Sequence, residues 1–208
     1  VAKYVYDHKL TDKTEFVIET LGGMQHLVLT VEDGKAVNIQ ANIGKPRLDT
    51  KVIPVNTDLP EFVEQPVRVL DRTFNITAVS WGNPHIVMFV DDVDNLDVHG
   101  YGRELEYMTS LFPNKTNVTF AELVNPEYIK MREWERGTGE TIGCGTGCCT
   151  AVVAGVLTGR CNRHVKVEQI GGILDINWKE EDGCMYMTGV SNTVFEAEID
   201  VSHIPPQK

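Results

Sequence analysis

The run Cys148-Cys149-Thr150-Ala151-Val152-Val153-Ala154-Gly155-Val156-Leu157 constrains the fold more than any other feature of the chain. Small and apolar residues occupy nearly every face of a helix drawn over this stretch, and a helix of that kind is normally buried. It opens directly from the glycine-rich turn Gly143-Cys144-Gly145-Thr146-Gly147 and stops at Gly159, so a helix is predicted over about 146–158. Around it, apolar alternation predicts strands over 15–20, 25–31, 36–43, 67–70, 74–80, 85–90, 118–123, 128–134, 165–167, 173–178, 185–188 and 194–199. Asp33-Gly34 marks a hairpin turn. Residues 1–9 read as the last turns of a helix, and Val98, Tyr101, Leu105 and Met108 give a second helical spacing over 97–110. Many antiparallel strands with few helices predict an α+β fold in which a sheet encloses one helix. Residues 44–66 carry four prolines and little periodicity, which makes them the best place for the chain to cross between domains.

A chain of 208 residues holds one large domain or two small ones. Its formal net charge of −11, from 19 basic and 30 acidic residues, disfavours a nucleic-acid or anionic-membrane binder. No apolar run approaches the ~18–20 residues that span a bilayer. The five cysteines are odd in number and three of them crowd into positions 144–149. That is a poor disulfide framework and predicts a reducing compartment. The spacing Cys144, Cys148, Cys149 is not that of a zinc site, so no metal is expected. The chain starts at Val1 in what reads as the middle of an element, and residues upstream of it are expected.

The chemistry-bearing residues centre on Cys144. Gly143, Gly145 and Gly147 flank it, a pattern that lets backbone come close to a ligand. The adjoining helix N-terminus is expected to bind a carboxylate and to favour thiolate over thiol. Glu135 and Arg136 lie nine residues before this cysteine at the end of a strand, where adjacent side chains point to opposite faces. Arg136 suits a two-pronged clamp on a carboxylate. The turn Trp81-Gly82-Asn83-Pro84-His85 precedes a strand, and taken alone it reads as scaffold.

Together these segments resemble the diaminopimelate epimerase family. Gly82-Asn83-Pro84-His85, Pro113-Asn114-Lys115-Thr116-Asn117, Glu135-Arg136-Gly137-Thr138-Gly139-Glu140-Thr141 and Cys144-Gly145-Thr146-Gly147 fall in that family's order, followed by Gly171-Gly172 and Met187-Thr188-Gly189. The resemblance implies a cofactor-independent epimerase acting on LL- and meso-2,6-diaminopimelate, with two thiols on opposite faces of the substrate α-carbon. It implies two similar lobes, each a curved, mostly antiparallel sheet around a central helix. Residues 1–46 with 192–208 would form part of the first lobe, and residues 47–191 the second. It makes Cys144 one acid/base and gives His85 and Glu135 the setting of thiol protonation. Asn83, Asn117 and Arg136 would contact the distal amino-acid end, and the N–H groups of Gly145 and Thr146 the reacting carboxylate. The partner is a small-molecule amino acid, with no nucleic acid and no membrane; a homodimer and a cytoplasmic location are implied too. The family's other cysteine stands in a Cys-Gly-Asn-Gly-x-Arg-Cys segment that would end just before Val1, so these 208 residues alone are expected not to epimerise. The rival readings are a sister racemase acting on histidine or proline, and a non-catalytic amino-acid-binding protein.

Overall fold

The structure, a computed structural model, describes residues 1–20 and 23–202. The elements run α1 (Ala2–Asp7), β1 (Glu15–Thr20), β2 (Gly23–Glu32), β3 (Lys35–Gly44), β4 (Gln65–Val69), β5 (Arg72–Ser80), β6 (Pro84–Phe89), α2 (Val98–Glu106), β7 (Asn117–Asn125), β8 (Tyr128–Glu135), β9 (Gly139–Thr141), α3 (Gly145–Leu157), β10 (His164–Gln169), β11 (Gly172–Trp178) and β12 (Met185–Val190). The turn between β2 and β3 has positive φ at both Asp33 (48°) and Gly34 (72°), the conformation that two-residue hairpins need and that Asp-Gly tolerates.

One sheet takes in every strand, in the order β1-β2-β3-β12-β11-β10-β8-β7-β6-β5-β4, with β9 beside β8. Two pairs are parallel, β6 with β7 and β8 with β10; the others are antiparallel. A parallel pair requires a crossover, and the chain supplies α2 in the first and α3 in the second.

Alternation along the strands builds two cores on opposite faces of the same sheet. Ile76, Ile86, Met88, Val118, Phe120 and Trp134 face α2 and form one core with Leu105 and Phe112. Val87, Ala121, Ile129, Met131, Val165 and Ile176 face α3 and form the other with Val152 and Val153. Helix α3 is buried from Gly147 to Gly155, and β5, β6, β7, β8, β11 and β12 all touch it, so the sheet wraps around this helix as its composition demanded. A small third core, Ala2, Leu29 and Ala36, joins α1 to the β2–β3 hairpin.

The strand expected at 194–199 does not form: residues 191–200 have no regular structure. The strand that precedes it, β12, is already paired on both sides, by β11 and β3, so the segment has no open edge to join where it leaves the sheet. The segment lies instead beside α1, with His8 Nε2 3.6 Å from Glu196 Oε1. Residues 203–208 of the expected first lobe lie outside the described residues. No described helix is long and apolar enough to cross a membrane.

Candidate active site

The head of α3 gathers the site. Cys144 is its N-cap, in extended conformation (φ −136°, ψ 111°), and no side chain caps the helix. The Cys144 N–H donates to Gln169 Oε1 at 2.8 Å, which ties the residue to the end of β10. The first N–H groups of the helix, beginning with Gly145 and Thr146, therefore remain the anion-binding end that an uncapped helix presents.

Strands β6, β7 and β8 bring His85, Thr119 and Glu133 to the same end of α3. Thr119 stands directly opposite Glu133 across the ladder, and Thr119 Oγ1 donates to Glu133 Oε2 at 2.5 Å. His85 is fully buried, with Nδ1 3.5 Å from Glu133 Oε1. One ligand-type atom from each of His85, Glu133 and Cys144 lies within 4.8 Å of the others. This trio is the one group among the described residues spaced to hold a metal ion. Its residue types are equally those of an acid–base site.

Burial pushes the Cys144 thiol up to about 11, and the Glu133 carboxylate adds to the rise. The Thr146 hydroxyl, 3.5 Å from the sulfur, and the Gly147 N–H act in the opposite direction and are outweighed. The thiolate expected from the helix N-terminus is thus corrected: in this structure Cys144 rests as a thiol. A helix end offers partial charges, whereas burial removes water from a whole anion beside a full negative charge. Burial also drives Cys148 far upward; with Cys149 it is enclosed in the α3 core.

The remaining expected residues fall around this centre. Glu135, two positions along β8 from Glu133, accepts from Thr141 Oγ1 at 2.6 Å and is half-buried. Arg136 is exposed, with Nη1 donating to Asn114 O at 3.0 Å. Asn83 is half-buried in the β5–β6 turn. Asn117 is buried and bonded on both sides of its amide: Oδ1 accepts from Arg136 N at 2.9 Å and Nδ2 donates to Pro84 O at 3.0 Å. The loop after β8 is anchored by Glu106 of α2, which accepts from Trp134 Nε1 (2.8 Å) and Gly137 N (3.0 Å).

Glu133, Thr119 and Gln169 were missed in the sequence. For Glu133 a signal existed: Ile129, Met131 and Glu133 alternate on one face of β8, so a carboxylate falls in line with core residues.

A thiol, an imidazole and carboxylates at the mouth of a buried, uncapped helix are the residue types of an acid–base enzyme site. The fold is shared with racemase-like proteins. A probable proline racemase from Agrobacterium radiobacter matches 97% of this chain and 66% of its own, with TM-score 0.67 at 13% identity. A Bacillus anthracis phenazine biosynthesis protein of the PhzF family matches 90% of this chain and 69% of its own, with TM-score 0.59 at 17% identity. The family model described as diaminopimelate epimerase matches residues 77–194. Relatives of that name from Methanococcus maripaludis strain C5 and Acetivibrio thermocellus are each 43% identical, over 97% and 98% of this chain and 72% of their own length. The chain belongs to the diaminopimelate epimerase family and is an isomerase.

Proposed function

We propose that the full-length protein containing this chain interconverts LL- and meso-2,6-diaminopimelate by proton transfer at the α-carbon, serving lysine and peptidoglycan synthesis in the cytoplasm. The observation that carries the reading is Cys144 at the uncapped head of α3 beside His85 and Glu133. One thiolate takes the α-proton, and the C–H electron pair passes into the adjoining carboxylate. A thiol on the opposite face then returns a proton to the carbon, which leaves inverted. The N–H groups of Gly145 and Thr146 would hold that carboxylate as its charge grows, a preorganised stabilisation of the transition state.

Cys144, protonated at rest, is the proton donor in one direction and its thiolate the base in the other. A thiol that is hard to ionise gives a strong conjugate base, which suits a weakly acidic carbon. His85 and Glu135 would help set that protonation, and Asn83, Asn117 and Arg136 would recognise the distal end of the substrate. The exposed guanidinium of Arg136 supports a rim contact for a second carboxylate. The opposing thiol would be that of the family's Cys-Gly-Asn-Gly-x-Arg-Cys segment. Residues 1–46 with 192–208 are assigned to the first lobe and 47–191 to the second, with the substrate between them, in a homodimer.

The test is chiral chromatography of LL-diaminopimelate, L-histidine and L-proline after incubation with the full-length protein. Conversion of diaminopimelate to the meso form alone is the expected result. Inversion of histidine or proline instead would assign a sister activity, and binding without inversion of any would leave a binding protein.

A further inference from the structure

The buried face of β8 carries a carboxylate to which the resemblance gives no role. Glu133 is 1% exposed, in line with Ile129 and Met131. Helix α3 comes so close that a Cβ on Gly147 would lie 2.6 Å from Glu133 Oε2, so any side chain there would displace the carboxylate. Thr119 Oγ1 occupies Oε2. Glu133 Oε1 and His85 Nδ1 are both buried without a hydrogen-bond partner, and they face one another at 3.5 Å.

The tautomer of His85 follows from the hydrogen-bond network. Asn117 Oδ1 accepts from the backbone N–H of Arg136, which fixes the amide with its NH2 group toward β6. That NH2 donates to Pro84 O and lies 3.4 Å from His85 Nε2. A donor facing Nε2 assigns the lone pair there and the ring proton to Nδ1. The Nδ1–H then points at Glu133 Oε1. At 3.5 Å the bond is longer than a formed N–H···O contact, and a shift of a few tenths of an ångström closes it, as sites of this kind do when substrate binds.

We propose that Glu133 is a positioning residue of the reaction: accepting from the Nδ1–H of His85, it completes with Asn117 the pair of contacts that selects the imidazole tautomer, and it holds the ring beside the Cys144 sulfur. The inference rests on the epimerase reading of the site, but its readout is separable from it. Second-sphere carboxylates commonly act on a histidine this way, by selecting which nitrogen carries the proton.

The experiment uses the full-length protein labelled with 15N-histidine, with EDTA throughout so that no metal occupies the trio. Imidazole 15N shifts report the His85 tautomer, assigned by comparison with His85→Gln, and LL-diaminopimelate turnover reports kcat and KM. Wild type is expected to show Nδ1–H. Glu133→Val removes the acceptor and leaves the longer 3.4 Å Asn117 contact alone to favour Nδ1–H, so it is expected to populate both tautomers and to lower kcat about 100-fold with KM within about twofold, the scale of a misplaced catalytic group. Glu133→Gln keeps an oxygen acceptor and should restore the tautomer and kcat to within about tenfold of wild type. If the valine variant does not fold, Glu133→Met, unbranched and of similar length, takes its place. An apolar variant that keeps both the Nδ1–H form and wild-type kcat overturns the proposal, as does wild-type His85 carrying its proton on Nε2. Nδ1–H in a wild-type protein that never inverts diaminopimelate would leave Glu133 in place and remove the epimerase reading.

Discussion

The two ends of the sheet are built to different standards. Strands β5 to β8 are covered on both faces, by α2 on one and α3 on the other. Among the described residues, strands β1 to β3 are covered by the short α1 with a core of Ala2, Leu29 and Ala36, and Val17, Met24 and Val28 on them are exposed. Among the described residues, the doubly covered end is where polar groups are buried together: His85, Thr119 and Glu133 sit there out of water. Burial strengthens each interaction and raises the penalty for an unmatched group. The buried trio shows what a proton-transfer site needs: partners fixed by packing and kept out of water.

The largest contrast concerns Cys144 itself. Because its thiol is pushed up to about 11, the thiolate is scarce at neutral pH and grows as pH rises. Alkylation by iodoacetamide at pH 7.5, followed by peptide mass spectrometry, should be about 100-fold slower than for an unperturbed thiol near 8.5. It should climb about tenfold per pH unit. Fast, pH-independent labelling near neutrality would mean that this end is open to water. Next in size is packing: Ile129→Ala, under α3, should cost about 2–5 kcal/mol by urea midpoint. The same measurement on Val17→Ala, on the thinly covered β1, should stay within about 0.5 kcal/mol. Equal costs would erase the contrast.

A smaller effect attaches to Glu106. Burial works to raise its carboxyl, but bonds from Trp134, Gly137 and Lys115 prevail and hold it below the usual 4.5. Its ionised form therefore adds stability above that value, and the contribution is lost as pH falls through the lowered one. Glu106→Gln should flatten the acid limb of a stability–pH curve below the usual carboxyl value of 4.5; an unchanged slope would remove the anchoring role. The smallest is the partly exposed pair Arg132–Glu140 at 2.7 Å, where a double-mutant cycle should give a coupling of about 1 kcal/mol or less.

Much of this was legible in the residues. The all-round apolar character of 148–157 called for an enclosed helix, and six strands enclose it. Asp33-Gly34 called for its hairpin. Two things were not legible. Residues 194–199 alternate like a strand, but whether an alternating segment pairs depends on a free edge elsewhere in the fold. The resting state of Cys144 depends first on burial and then on the charge of Glu133, which β8 delivers to the helix head, and local rules about helix ends register neither. Glycine spacing located the thiol; only the assembled sheet showed which charge stands next to it.

The central claim is that the Cys144 sulfur exchanges a proton with the substrate carbon. The direct measurement is mass spectrometry of diaminopimelate incubated in deuterated water with the full-length protein and with its Cys144→Ala variant. The expected result is α-deuterium in the inverted product of the wild type and a loss of about 10²–10⁴-fold or more in the variant. Inversion by the alanine variant at close to the wild-type rate would contradict it.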